Sequence, residues 1–124
     1  METNKRAAGG IAENSAADFL QDKGYRILER NFNSPFGEID IIASDGEYTV
    51  FVEVKSRNSD EFGSPQDAVN SKKQKHMIKT AISYLKMHKL VPADVRFDVI
   101  AIGPGRGEIE HIKAAFAANP GYTC

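Results

Sequence analysis

Apolar positions follow two different periods along the chain, and the switches between them divide it into elements. From Ala7 to Lys23 they recur four apart, at Ile11/Ala12, Ser15/Ala16 and Phe19/Leu20, which predicts a helix with Gly24 as the residue past its C-terminus. Tyr25 to Phe32 reads as a strand and Asn33-Ser34-Pro35-Phe36-Gly37 as a turn. Two strand-like runs follow, Gly37-Glu38-Ile39-Asp40-Ile41-Ile42 and Val50-Phe51-Val52-Glu53-Val54-Lys55. The turn formers Ala43-Ser44-Asp45-Gly46-Glu47 join them into an antiparallel hairpin. Arg57 to Gly63 is a polar loop, and Ser64-Pro65-Gln66-Asp67 has the serine cap and first-position proline of a short helical turn. Ser71 is expected to cap the main helix, Lys72 to about His88. Its apolar stripe is Met77, Ile78, Ala81, Ile82 and Leu85, with Lys72, Lys75, Lys79 and Lys86 on another side. Val95 to Ile102 reads as a buried strand. Gly103-Pro104-Gly105-Arg106-Gly107 leads into strand pattern instead of a helix, so it reads as a turn and not a phosphate loop, and Glu108 to Lys113 forms the last strand.

The order of helix, three strands, helix and two strands predicts an α/β architecture with a central mixed sheet flanked by helices. The second helix is long enough to be a crossover, so the strand at Val95 is expected to run parallel to the one carrying Glu53. A chain of 124 residues, 41% hydrophobic and 27% charged, makes one domain with a core at about 7–116 and a frayed tail at 117–124. The N-terminus has no apolar signal region, and no stretch approaches the roughly 20 apolar residues of a membrane span. The lone cysteine, Cys124, ends the chain and makes no internal disulfide. Together these features point to a cytoplasmic protein without a membrane partner. The oligomeric state is open, with a homodimer among the options.

Two acids and a lysine sit inside the most strand-like stretches, where charged residues are depleted. Side chains on a strand alternate between faces, so Glu38 and Asp40 share one. Phe51, Glu53 and Lys55 also share a face, while Val50, Val52 and Val54 fill the opposite one. A hairpin brings Asp40 and Glu53 close, and two carboxylates at that distance repel unless something positive sits between them. Hard oxygen ligands without paired cysteines or histidines favour Mg²⁺ or Mn²⁺. His76, His88 and His111 show no ligand spacing and read as surface or packing residues, and Arg96 and Asp98, alternating on one strand, read as a structural pair.

The net charge is −1, but Lys72 to Lys89 carries six lysines, two histidines and no acid, which leaves the rest of the chain at −7. Such asymmetry is the footprint of a polyanion site, with Lys72, Lys75 and Lys79 as candidate phosphate contacts; a solvated helix face is the plainer alternative.

An acid followed by a hydrophobic strand carrying Glu-x-Lys, here Asp40 and Glu53-Val54-Lys55, resembles the PD-(D/E)xK motif of restriction-endonuclease-like nucleases, with Gly37-Glu38-Ile39-Asp40 in place of the proline-aspartate opening. Gly37-Glu38-Ile39-Asp40, Phe51-Val52-Glu53-Val54-Lys55-Ser56-Arg57, Phe62-Gly63 and Arg96-Phe97-Asp98-Val99, in that order, resemble the small bacterial YraN-like family between about Gly10 and Phe116. The resemblance implies a nuclease-type fold and a Mg²⁺-dependent endonuclease acting on DNA, in branched or damaged form. A nucleic-acid-binding or partner-binding module without cleavage is the alternative. On the nuclease reading Asp40 and Glu53 hold the metal with the main-chain carbonyl of Val54, and Lys55 polarises the attacking water; the alternative for Lys55 is a structural salt bridge to a neighbouring strand. Likeness to archaeal Holliday-junction resolvases implies a site role for Glu13 on the first helix, and Gln74 lies where such nucleases place a polar helper, with Lys75 the next choice. Arg57 continues the Lys55 face, either to touch phosphate or only to solvate the end of the strand. Glu38 is left between a second-cation ligand and a solvated strand end.

Overall fold

A computed structural model describes residues 2–56, 69–90, 94–103 and 108–117. Helix α1 spans Glu2–Asp22, strands β1, β2 and β3 span Arg26–Ser34, Gly37–Ser44 and Thr49–Ser56, helix α2 spans Ser71–Met87, and strands β4 and β5 span Val95–Ile102 and Ile109–Phe116. This is the expected element order. The first helix begins earlier than its apolar period indicates, and β5 runs on past Lys113 to Phe116. The predicted Arg57–Gly63 loop, the turn at Ser64-Pro65-Gln66-Asp67, residues 104–107 of the glycine-rich turn and the tail from 118 lie outside the described residues.

The five strands lie in sequence order. β1, β2 and β3 are antiparallel neighbours, β3 and β4 are parallel, and β5 returns antiparallel to β4. A parallel pair needs a crossover, which α2 supplies. Alternation along β3 sends Phe51 into one core cluster with Met77, Ile78, Ala81, Tyr84 and Leu85 of α2, while Val50 and Val52 join Ala16, Ala17 and Leu20 of α1. The two helices therefore cover opposite faces of the sheet. Among the described residues no helix is long and apolar enough to cross a membrane.

Helix ends follow from local hydrogen bonding. At the end of α1, Gly24 takes φ +92°, its N–H donates to Gln21 O at 2.9 Å, and Tyr25 N–H donates to Leu20 O at 3.0 Å. That is a Schellman stop, closed by the buried pair Leu20 and Tyr25. Asn70, not the expected Ser71, caps α2: its Oδ1 accepts Lys73 N–H at 2.9 Å, which places Ser71 as the first helical residue.

Arg96 and Asp98 share the α1 side of β4 and anchor a buried polar network. Asp98, fully buried, accepts from Arg96 Nε and Nη2, from His111 Nε2 at 2.7 Å, and from Ala114 N–H at 3.0 Å. A register shift near Ala114, whose φ is +51°, turns that N–H inward. Arg96 reaches on to Asp45 and to the Tyr25 hydroxyl. Because the Lys23 ammonium only donates, its 2.9 Å contact makes His111 Nδ1 an acceptor and leaves the ring proton on Nε2, facing Asp98. Burial alone would raise the Asp98 pKa, but the hydrogen bonds from His111, Arg96 and Ala114 outweigh it and hold the carboxyl below its ordinary range.

Replacing Asp98 with Asn keeps the side chain's shape but leaves Arg96 with an uncompensated share of buried charge. The variant is expected to lose about 3–5 kcal/mol of stability in urea unfolding with an unchanged m-value. A loss below about 1 kcal/mol would show that Asp45 alone satisfies the guanidinium.

Candidate metal-dependent active site

The site forms where β2 and β3 part. Their pairing begins at Ser44↔Thr49 and ends at Ile41↔Val52, although each strand continues. Continuing that register would set Val54 opposite Ile39; instead the Asp40 carboxylate intervenes, its Oδ2 accepting Val54 N–H at 2.8 Å. Strict alternation also breaks here. Ile39 packs with the α2 cluster and Ile41 with the α1 cluster, so Asp40 stands where β2 changes face.

Two clefts open on either side of it. The larger, about 670 Å³, lies between α1 and the sheet and is lined by residues including Glu13, Arg30, Asn31, Glu38, Asp40 and Val54. The second, about 400 Å³, lies against α2 and includes Glu38, Asp40, Glu53, Lys72, Lys73 and His76. Asp40 and Glu38 border both. Spacing alone does not account for this, since alternation breaks between Ile39 and Ile41.

Charge at this point is poorly balanced. Burial first, then the neighbouring Glu53 carboxylate, push the Asp40 pKa up to about 7; Glu13 and Glu38 add to the rise, and the Val54 N–H opposes it. Glu53 is nearly buried, with its Oε2 2.6 Å from Lys73 Nζ. Burial works against the Lys73 charge, but the Glu53 hydrogen bond and carboxylate charge prevail and raise its pKa.

Lys73 is the participant that sequence reasoning missed. It lies one helical turn before the buried Met77, so the helical period alone directs it towards the sheet, apart from the outward-facing lysines. Asn70, which lines the same cleft, was missed with it. Glu13 does border the larger cleft, where its Oε1 is held by Arg30 at 2.9 Å and by Asn31 Nδ2 at 3.0 Å. Lys55 lies on the Glu53 face of β3, half-buried, and among the described residues forms no hydrogen bond or ion pair. Gln74 turns away: its Nε2 donates to Val69 O at 2.9 Å, bracing the start of α2. Lys72 reaches the smaller cleft, Lys75 is exposed, and Lys79 sits over the Phe36 ring. Arg57 lies outside the described residues.

No cluster of three or more acids, histidines or cysteines able to enclose a metal occurs among the described residues. Two carboxylates whose mutual repulsion is relieved by a cation nevertheless fit Mg²⁺, which keeps several waters and takes one or two protein carboxylates.

Comparison with known proteins follows the same stretch. A family model described as an uncharacterised protein family, UPF0102, matches residues 12–102. A UPF0102 protein of Thermodesulfovibrio yellowstonii is 53% identical over 108 residues, covering 87% of this chain and 94% of its own. Another, from Moorella thermoacetica, is 45% identical over 94% of this chain and its whole length. A third, from Syntrophus aciditrophicus, is 48% identical over 92% of this chain and 91% of its own.

Raising an acid's folded pKa from its ordinary 3.8 to about 7 means that the folded state binds more protons than the unfolded state across that window. Stability should therefore fall as pH rises through the window and level off above it. Asp40→Asn retains an acceptor for Val54 N–H and removes the charge. By urea unfolding it is expected to exceed the native chain in stability at about pH 8, by a few kcal/mol at most, with the gap closing towards about pH 4. Parallel curves at both pH values would show that Asp40 carries no such strain.

Proposed function

The chain belongs to the uncharacterised protein family UPF0102, and we propose that it is a Mg²⁺- or Mn²⁺-dependent endonuclease of restriction-endonuclease-like type, hydrolysing phosphodiester bonds in branched or damaged DNA. The observation that carries this reading is the meeting of Asp40 and Glu53 at the parting of β2 and β3, beside a cleft whose α2 wall presents Lys72 and Lys73. Negative charge is concentrated where a cation would be held, and positive charge stands where a phosphate would lie.

In this reading Asp40, Glu53 and the Val54 carbonyl hold the ion. A bound divalent ion supplies a more acidic coordinated water and offsets charge on the phosphate. Lys55, on the Glu53 face, adds a fixed positive charge where the phosphorane gains negative charge, as the water oxygen bonds to phosphorus and one phosphorus–oxygen ester bond breaks. Lys72, Lys75 and Lys79 fix the DNA backbone and carry no sequence information. Glu13 keeps Arg30 and Asn31 in place at the rim of the larger cleft.

One observation favours the second reading, a binding module without cleavage. Lys73 already neutralises Glu53, so that carboxylate has a cationic partner without an ion. The two readings part in an assay with duplex, single-stranded, flap and four-way-junction DNA in Mg²⁺, Mn²⁺ or EDTA.

Cleavage should require the metal, and Lys55→Met should lower it at least about a hundredfold with fold and Mn²⁺ affinity retained. Calorimetry should find Mn²⁺ binding greatly weakened in Asp40→Asn. Metal-independent DNA binding with no cut on any substrate selects the binding module. Glutamine at Lys72 and Lys75 should lessen the salt dependence of DNA binding, by roughly 0.9 in log–log slope for each phosphate that is no longer neutralised; an unchanged slope makes these lysines a solvated face.

A further inference from the structure

Phe36, at the tip of the β1–β2 hairpin, keeps 45% of its surface exposed, and it is the one aromatic among the large exposed hydrophobic residues described. The turn that presents it is seated on α2. Phe36 N–H donates to Ser34 Oγ at 3.0 Å, and that hydroxyl lies 3.0 Å from Thr80 Oγ1. Thr80 is fully buried and donates in turn to His76 O at 2.8 Å. The ring is thus held out on a fixed mount, with Lys79 Nζ 5.7 Å from its centroid.

The mount adjoins the site. Gly37, the next residue, lines the smaller cleft with Glu38, Asp40, Glu53, Lys72 and Lys73. Asp40 lies four residues beyond Phe36, about 13 Å along extended strand, the span of roughly four stacked nucleotides. A strand whose phosphate lies at Asp40 would therefore bring a base to the ring within a few nucleotides. Bases inside a duplex have their faces covered by their neighbours; an unpaired base has a free face, and aromatic rings flanked by cations bind such faces without regard to sequence.

We propose that Phe36 is a stacking platform for an unpaired base, which makes the preferred ligand DNA with single-stranded character next to the scissile position. The assignment of DNA rests on the nuclease reading, but stacking is tested without cleavage.

The chain has no tryptophan, so Phe36→Trp introduces a single indole at the platform. In EDTA, an oligothymidylate should quench its emission, and a blunt duplex of equal length should leave it unchanged. By fluorescence anisotropy in EDTA, Phe36→Ala should weaken the single-stranded complex about tenfold and leave the duplex complex unaltered. Phe36→Leu, which keeps apolar bulk without a π-face, should weaken it comparably, while thermal melts confirm that both variants fold. The proposal is overturned if the native chain does not bind single-stranded DNA, if Phe36→Ala keeps native affinity, or if single-stranded and duplex binding fall by the same factor, as for a wedge between paired bases. An intact stacking signal from a protein that cuts nothing refutes hydrolysis and leaves the platform standing. Cleavage unaffected by Phe36→Ala, with equal binding, does the reverse.

Discussion

The hydrogen bond from Val54 N–H to the Asp40 carboxylate organises the rest of the site. A side-chain oxygen takes the place of a main-chain carbonyl in the ladder, so β2 and β3 separate without leaving that N–H unsatisfied. The separation opens a cleft on each face of the sheet and leaves the carboxylate between them. It also gathers acids faster than it gathers cations, and that imbalance adds to the rise in the Asp40 pKa that burial begins.

Two aspartates of the same sheet, Asp98 buried and Asp40 half-buried, show how environment separates structure from chemistry. Asp98 on β4 receives donors from Arg96, His111 and Ala114, and its pKa falls. Asp40 on β2 receives one backbone donor and faces Glu53, Glu13 and Glu38, and its pKa rises. The first is saturated and cements β4, β5 and the end of α1 together. The second keeps an unmet demand for positive charge: Lys73 bonds Glu53 and acts on Asp40 only across space. The desolvation penalty acts on both; the donors decide the sign.

Much of this is legible in the residues alone. The bounds of β4, the β2–β3 hairpin, the α2 crossover and the two faces of β3 follow from periods of two and of nearly four, because local sequence dictates them. Asp40 and Glu53 stand out for being charged in apolar strands. What escapes is set by distant partners or by phase. Lys73 looks like one lysine among six until the helix is turned against the sheet. Gln74 looks free for the site until Val69 claims its amide. Ser71 yields the cap to Asn70 through a shift of one residue, beyond what residue preferences resolve. The change of face at Asp40 has no signature in alternation, which assumes that a strand stays flat.

The register shift that points Ala114 N–H at Asp98 has an effect on the outside of the molecule as well. It lies on β5, one of the two outer strands of the sheet, and β1, the other, carries its own shift between Ile27 and Glu29 and a left-handed residue at Asn31. An open strand with regular spacing of N–H and C=O groups is a template on which a second chain can extend the sheet, the route to edgewise aggregation. Both borders here are irregular, and neither offers such a ruler-like row. Sideways growth of the sheet is thereby discouraged by the same backbone distortion that satisfies a buried carboxylate, and contact between copies would fall to helices and faces.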